Sequence, residues 1–231
     1  MGITIASYNI HRCYGLDGHF DPERIRSVLR HLDAQIIALQ EVELLRDAPG
    51  LLEYFCEGTE LTAITGLTMQ RESGHYGNAL LTSLPIRDVK KIDLSVSVRE
   101  PRGAIHATLD DAGQPINVIA THLGLKAAER RYQIRRLLDE LEKVNTTALN
   151  STATVLLGDL NEWFVWSRPR RWLRNYFEPS TVPATYPAFF PIFALDRILV
   201  KPAKRVVELD VINNHLTRQA SDHLPIVARF E

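Results

Sequence analysis

The sequence predicts an α/β fold, and three observations carry that reading. Residues 3–41 read strand, helix, strand, the opening of a β-α-β unit. From Leu61 to Leu109 the rhythm changes to short apolar runs broken by turn residues. A long amphipathic stretch, Lys126 to Lys143, then leads into a second apolar run, Val155-Leu156-Leu157, that stops at Gly158. With 231 residues and no internal repeat or linker, residues 1–231 are expected to form one domain.

Taken in order, Ile3–Ile10 alternates as a strand and ends in Ser7-Tyr8-Asn9. Asp21-Pro22-Glu23 opens a helix: Asp as N-cap, Pro at the first helical position and an acid in the first turn. Ile25, Val28, Leu29 and Leu32 give that helix its apolar face. Gln35–Gln40 is a short apolar strand that delivers Glu41 at its exit, and Leu51–Cys56 is a short helix. Gly77–Thr82 is a strand; Ala104–Leu109 and Ile116–Thr121 pair across the turn Asp110-Asp111-Ala112-Gly113, and the second delivers His122. In the helix from Lys126 to Lys143, Ile134, Leu137, Leu138 and Leu141 point inward, while Arg130, Arg131, Arg135 and Arg136 are expected on a solvated face. After Val155–Leu157 come a Trp- and Arg-rich segment, Trp163–Tyr176, and a proline-bearing loop, Glu178–Pro191. Strands follow at Ala194–Val200, Arg205–Val211 and Leu224–Phe230, the last entered through Ser221-Asp222-His223.

Composition excludes several classes. The hydrophobic share of 45% and charged share of 24% are those of an ordinary globular domain. No apolar run reaches the length of a membrane-spanning helix, and the N-terminus enters a strand directly, so a cytoplasmic protein without membrane insertion is expected. Cys13 and Cys56 read as reduced thiols, and no Cys/His spacing suits zinc. A formal charge of −1 gives no general attraction to nucleic acid, although the basic residues are skewed to 21 Arg against 6 Lys, and Arg forks fit phosphate.

Six polar clusters sit at or near strand ends: Asn9, Glu41, His122, Asp159 with Asn161, Asp196, and Asp222 with His223. Each alone has a structural explanation, such as a turn cap for Asn9, a core histidine for His122 or a surface pair with Arg197 for Asp196. Their recurrence at strand exits points to one shared site instead. Asp159 and Asn161, two apart at the end of an extended run, face the same way.

Ser7-Tyr8-Asn9, Leu39-Gln40-Glu41, Thr121-His122-Leu123, Gly158-Asp159-Leu160-Asn161, Leu195-Asp196-Arg197-Ile198 and Ser221-Asp222-His223-Leu224-Pro225 together resemble the ordered motifs of the endonuclease/exonuclease/phosphatase (DNase I-like) superfamily. The likeness spans Tyr8 to Val227. It implies a four-layer α/β/β/α sandwich, two mixed β-sheets face to face with helices outside, and phosphoester hydrolysis at one end. It also implies Mg²⁺, with Mn²⁺ as a substitute, on Glu41 helped by Asn9 and Asp222. Asp159 is then the base that deprotonates an attacking water, and Asn161 orients that water or a phosphate oxygen. His223 faces the phosphate with its tautomer set by Asp196, and His122 protonates or hydrogen-bonds the leaving oxygen. The chain departs from the nucleases in lacking an acid in Tyr76–Leu80 to hold His122, so Asn78 and Arg102 are expected to meet the substrate instead. Trp163, directly after the Asp159 motif, is expected at the rim. A nuclease-like phosphodiesterase working as a monomer on nucleic acid is the first expectation. A phospholipid or inositol-phosphate esterase is the second, and a catalytically silent binding module the third.

Overall fold

The structure, a computed structural model, describes residues 2–46, 50–72, 74–147, 153–177, 183–202 and 206–230. Parts of the expected loop Glu178–Pro191 and strand Arg205–Val211 lie outside the described residues. Among those described, two mixed sheets pack face to face with helices on both outer surfaces, the four-layer sandwich expected.

One sheet contains β1 (Ile3–Asn9), β2 (Ile36–Leu45), β3 (Thr62–Arg71), β4 (Gly74–Thr82), β10 (Val206–Val211) and β11 (Ile226–Phe230), in the order β10-β11-β1-β2-β4-β3. The other contains β5 (Ile86–Asp93), β6 (Gly103–Asp111), β7 (Gln114–His122), β8 (Ala153–Asp159) and β9 (Asp196–Lys201), in that order. Alternation along a strand assigns the faces. In β1, Ile3 and Ile5 enter the core between the sheets, while Ala6 and Tyr8 face the helices. The inter-sheet core is aliphatic, with Ile36, Leu80, Ile105, Val118, Val155, Leu157 and Ile226 buried in it. Burying each such side chain contributes roughly 1.5–3 kcal/mol.

Helix α1 (Pro22–Leu32) starts as the sequence dictates: the Asp21 side chain accepts from the Arg24 N–H, and Pro22 needs no partner in the first turn. With α2 (Leu51–Cys56) and α5 (His215–Ala220) it covers the outer face of the first sheet. The short α5 carries no apolar periodicity and is set instead by its cap, Asn214 and Thr217 each bonding the other's backbone. Helices α3 (Ala127–Thr147) and α4 (Arg168–Tyr176) cover the second sheet. The β6–β7 hairpin turns at Ala112 and Gly113, both at positive φ, as a tight two-residue turn requires.

Two sequence expectations need correction. Glu41 does not end a strand: β2 runs on to Leu45, and a register shift against β4 between Leu39 and Val42, with Glu41 at φ 56°, forms a bulge that turns its side chain out of the ladder. Arg131, Arg135 and Arg136 are exposed, but Arg130 is buried. It stands four, seven and eleven residues before Ile134, Leu137 and Leu141 and so shares their inward stripe. Its charge is met by Glu162, with Nε to Oε2 at 3.3 Å.

Two predictions concern this frame. Gly158 sits at φ 137°, and a Cβ there would stand 1.8 Å from the Thr121 carbonyl oxygen of the paired strand. Gly158→Ala should therefore destabilise by about 3 kcal/mol or more, read by denaturant unfolding; a change under about 1 kcal/mol would contradict the β7–β8 register. Lys143 and Lys90 hold the Glu140 carboxyl down to about 2, and the Lys90 pair links α3 to β5. A depressed folded value stabilises above the unfolded carboxyl range and fades as pH falls through it towards about 2. The acid limb of stability should accordingly flatten between those values in Glu140→Gln, and an unchanged limb in thermal melts against pH would remove this pair from the account.

Candidate active site

Topology brings the polar clusters together. Parallel β1 and β2 send Asn9 and the Glu41 bulge to one end of the sandwich, and antiparallel β11 starts there, just after Asp222 and His223. Parallel β7 and β8 end side by side at His122 and Asp159, and antiparallel β9 begins opposite them at Asp196. In register, His122 pairs with Asp159 and Asp159 with Asp196.

Asp159, 1% exposed, is the hub. Its Oδ1 accepts from the backbone N–H of Asn161 at 2.8 Å, a turn made by Asn161 at φ 50°. Its Oδ2 accepts from Asn9 Nδ2 at 3.2 Å and lies 3.5 Å from His122 Nε2 and 3.8 Å from His223 Nε2. Asn9 Nδ2 also donates to Glu41 Oε1 at 3.3 Å, so one amide spans the two carboxylates. Burial, together with the neighbouring Asp196 charge, raises the Asp159 carboxyl to about 6 against the opposing pull of His223, the Asn161 N–H and Asn9. A carboxylate so tuned near neutrality suits a general base.

The two histidines differ in charge. His223 donates Nδ1–H to Asp196 Oδ2 at 2.8 Å, which also accepts from the Thr185 hydroxyl at 2.6 Å. Burial works against its charge, but Asp196, Asp159 and Asp222 outweigh it and lift His223 to about 10, an imidazolium. His122 is pushed well below the usual range by burial, then by Arg102 and His223, and is neutral. Arg102 Nη1 donates to His122 Nδ1 at 3.0 Å, and because a guanidinium can only donate, the ring proton falls on Nε2. The Asn161 amide nitrogen, 3.1 Å from Nε2, is then a close approach of two donors and not a hydrogen bond. The missing acid in β4 is thus explained: a guanidinium, paired with Glu100 at 3.1 Å, sets this histidine's tautomer.

A cavity of about 320 Å³ opens over these groups, lined by Glu41, Arg102, His122, Asp159, Asn161, Trp163, Asp222 and His223 among the residues expected from sequence. Asn9 and Asp196 stand behind it, bonded to its lining. Asn78 does not reach it: its amide donates to the Gly103 carbonyl at 3.2 Å, tying β4 to β6 across the two sheets, where a phosphate contact had been expected. Sequence reasoning missed Arg12, Arg71, Tyr76 and Tyr186, which also line the cavity. Arg12 has no local signal, being placed by a left-handed turn of non-glycine residues. Tyr186 packs its ring 5.7 Å from Trp163 and 4.8 Å from His223.

Two groupings offer metal ligands. Asp159, Asp196 and His223 bring one ligand atom each within 4.8 Å of one another, but Asp196 Oδ2 is already committed to His223 and Thr185. Glu41 and Asp222 line the cavity as half-buried carboxylates beside Asn9, an oxygen-rich set suited to a hard divalent cation.

Comparison with known proteins bears on the fold and the family. YbhP of Escherichia coli (strain K12), itself uncharacterized, is 26% identical over 252 aligned positions, covering 100% of this chain and 96% of YbhP. The crystal structure of an endonuclease/exonuclease/phosphatase from Beutenbergia cavernae superposes with a TM-score of 0.81 at 24% identity, over 100% of this chain and 71% of that one. The mannosyl-6-phosphatase Bt3783 of Bacteroides thetaiotaomicron superposes with a TM-score of 0.76 at 17% identity, over 98% of each chain. The family model for endonucleases, exonucleases and phosphatases matches residues 6–223, nearly the whole span of the strands and site described above, and the chain belongs to that Endonuclease/Exonuclease/phosphatase family, whose members hydrolyse phosphoesters.

Proposed function

We propose that this protein is a divalent-metal-dependent phosphodiesterase of nuclease-like type, with Mg²⁺ as its ion and Mn²⁺ as a substitute. The observation that carries the reading is the convergence of Asn9, His122, Asn161 and His223 on one buried carboxylate, Asp159, with Glu41 alongside. Glu41, Asp222 and Asn9 would hold the cation, which polarises the phosphoryl group and offsets charge on the leaving oxygen. Asp159 accepts the proton of the attacking water. Asn161 fixes the water's position; its amide, bonded to the Leu123 carbonyl at 2.9 Å, has little freedom to turn. His223, charged and braced by Asp196, donates to a phosphoryl oxygen, and neutral His122 offers Nε2–H to the leaving oxygen.

Trp163 and Tyr186 present aromatic rings beside the cavity's arginines, which supports single-stranded or looped nucleic acid as substrate. A second reading, a phospholipid or inositol-phosphate ester, is favoured by exposed apolar residues close in sequence to the cavity-lining Trp163 and Tyr186: Phe164, Trp166, Phe189, Phe190 and Ile192, with Trp166 exposed to 82%. The likeness to a mannosyl-6-phosphatase adds small sugar phosphates to the substrates worth testing. A silent binding module is disfavoured because each acid, base and ligand group is present.

An assay of plasmid DNA, short RNA, sphingomyelin, inositol phosphates and mannose 6-phosphate, with Mg²⁺ and with EDTA, should give metal-dependent turnover of a nucleic acid first. Turnover that survives EDTA would end the metal reading. Asp159→Asn keeps the side chain's shape and should lower kcat by about 10²–10⁴-fold without loss of the folded state. Unchanged kcat would remove Asp159 from the mechanism.

A further inference from the structure

Three arginines line the cavity, and two are already matched. Arg102 is bonded to His122 and paired with Glu100. Arg71 lies over the Tyr76 ring, 4.2 Å to its centroid, with Glu43 at 4.0 Å. Arg12 makes no ion pair among the described residues, and its one aromatic neighbour is Tyr14, 5.6 Å from guanidinium to ring centroid. The cavity's carboxylates do not serve it: Asp159 is engaged by Asn9 and the Asn161 N–H, and a bound cation would claim Glu41 and Asp222.

The backbone holds Arg12 there against its preference. His11, Arg12 and Cys13 lie in succession at φ 45°, 54° and 64°, a left-handed stretch that L-residues avoid. It persists because its bonds over-determine it. Asn9 Oδ1 accepts from the His11 N–H at 3.1 Å, Ile10 O from the Cys13 N–H at 2.8 Å, and Cys13 O from the Asp21 N–H at 2.8 Å, with Cys13 buried. Strain of this kind is kept where it positions a group for use, and the anchor here is Asn9, the amide that spans Glu41 and Asp159. Elsewhere on the wall, Leu125, Trp163, Tyr186 and Leu195 give an apolar stretch that no anion would choose.

We infer that Arg12 forms a second anion subsite, so that the preferred substrate is a phosphodiester bearing a further phosphate beside the scissile one. This rests on the phosphodiesterase reading and adds the group that Arg12 selects. A flanking phosphate of an oligonucleotide and a ring phosphate of an inositol headgroup share that chemistry.

Hydrolysis of bis(p-nitrophenyl) phosphate with Mg²⁺ reports the phosphodiesterase alone, and competition against it reports the subsite. The competitors are the dinucleotide TpT with and without a 5′-phosphate, and glycerophosphoinositol with and without a 4-phosphate. In the wild type the phosphorylated member of at least one pair should have a Ki about tenfold to a hundredfold lower, and the responding pair identifies the source. That ratio should collapse in Arg12→Ala and in Arg12→Gly, the second chosen because glycine accepts the left-handed backbone without strain, and should return in part in Arg12→Lys. Ratios near one in the wild type, or unaltered in both truncations, would overturn the subsite while leaving the phosphodiesterase standing. A reporter that is not turned over would overturn both.

Discussion

Everything at the working end of this protein depends on burying a carboxylate where two sheets meet. Asp159 cannot keep a charge there without donors. The fold supplies them from far apart in sequence: Asn9 from β1, the Asn161 N–H from the turn after β8, His223 from the entry to β11. An unmatched buried carboxylate would take up a proton, and its tie across the sandwich would be lost. The cross-sheet hydrogen bond from Asn9, 150 residues away in the chain, makes the spacing of the two sheets and the chemistry of the site one problem.

That dependence explains the surrounding backbone. Gly158 is needed because β7 and β8 approach so closely at their ends that a side chain would meet the Thr121 carbonyl. The positive φ of Asn161 turns the chain at once after Asp159, returning its own N–H to the carboxylate. Beneath the turn, Arg130 donates to the Gly124 and Leu125 carbonyls and to Glu162, so the segment after His122 and the segment after Asp159 share one buried guanidinium. Breaking such a pair costs several kcal/mol because the remaining charge is stranded, so this tether fixes relative position more than it adds net stability.

Much of this was legible in the sequence where the signal is local. Asp21-Pro22 with its apolar stripe specified α1, and Asp110-Asp111-Ala112-Gly113 specified the hairpin turn, which the structure narrows to Ala112-Gly113. The recurring polar residues at or near strand ends, Asn9, Glu41, His122, Asp159 with Asn161, Asp196, and Asp222 with His223, point in the sequence to one shared site. Non-local placement was not legible. No propensity marks Arg12, because its left-handed backbone is imposed by hydrogen bonds to Asn9, Ile10 and Asp21. Nor does a pattern mark the bulge at Glu41, which arises from register against β4. Arg130 was visible but misjudged: its charge argued for solvent, whereas its place in the stripe with Ile134, Leu137 and Leu141 argued for the interior, and the stripe won because Glu162 was there to meet it.

The same reasoning separates the two histidines, which sequence could not. Both sit at strand ends, both are buried, and both lie within 4 Å of the same Asp159 oxygen. Their difference comes from what faces the far ring nitrogen. A carboxylate there, Asp196, makes His223 a cation against the pull of burial; burial, reinforced by a guanidinium there, Arg102, keeps His122 neutral. Two like cations so near each other would repel, and each would weaken the other's hold on Asp159. Opposite partners behind the rings remove that conflict and leave one site with a charged donor and a neutral donor.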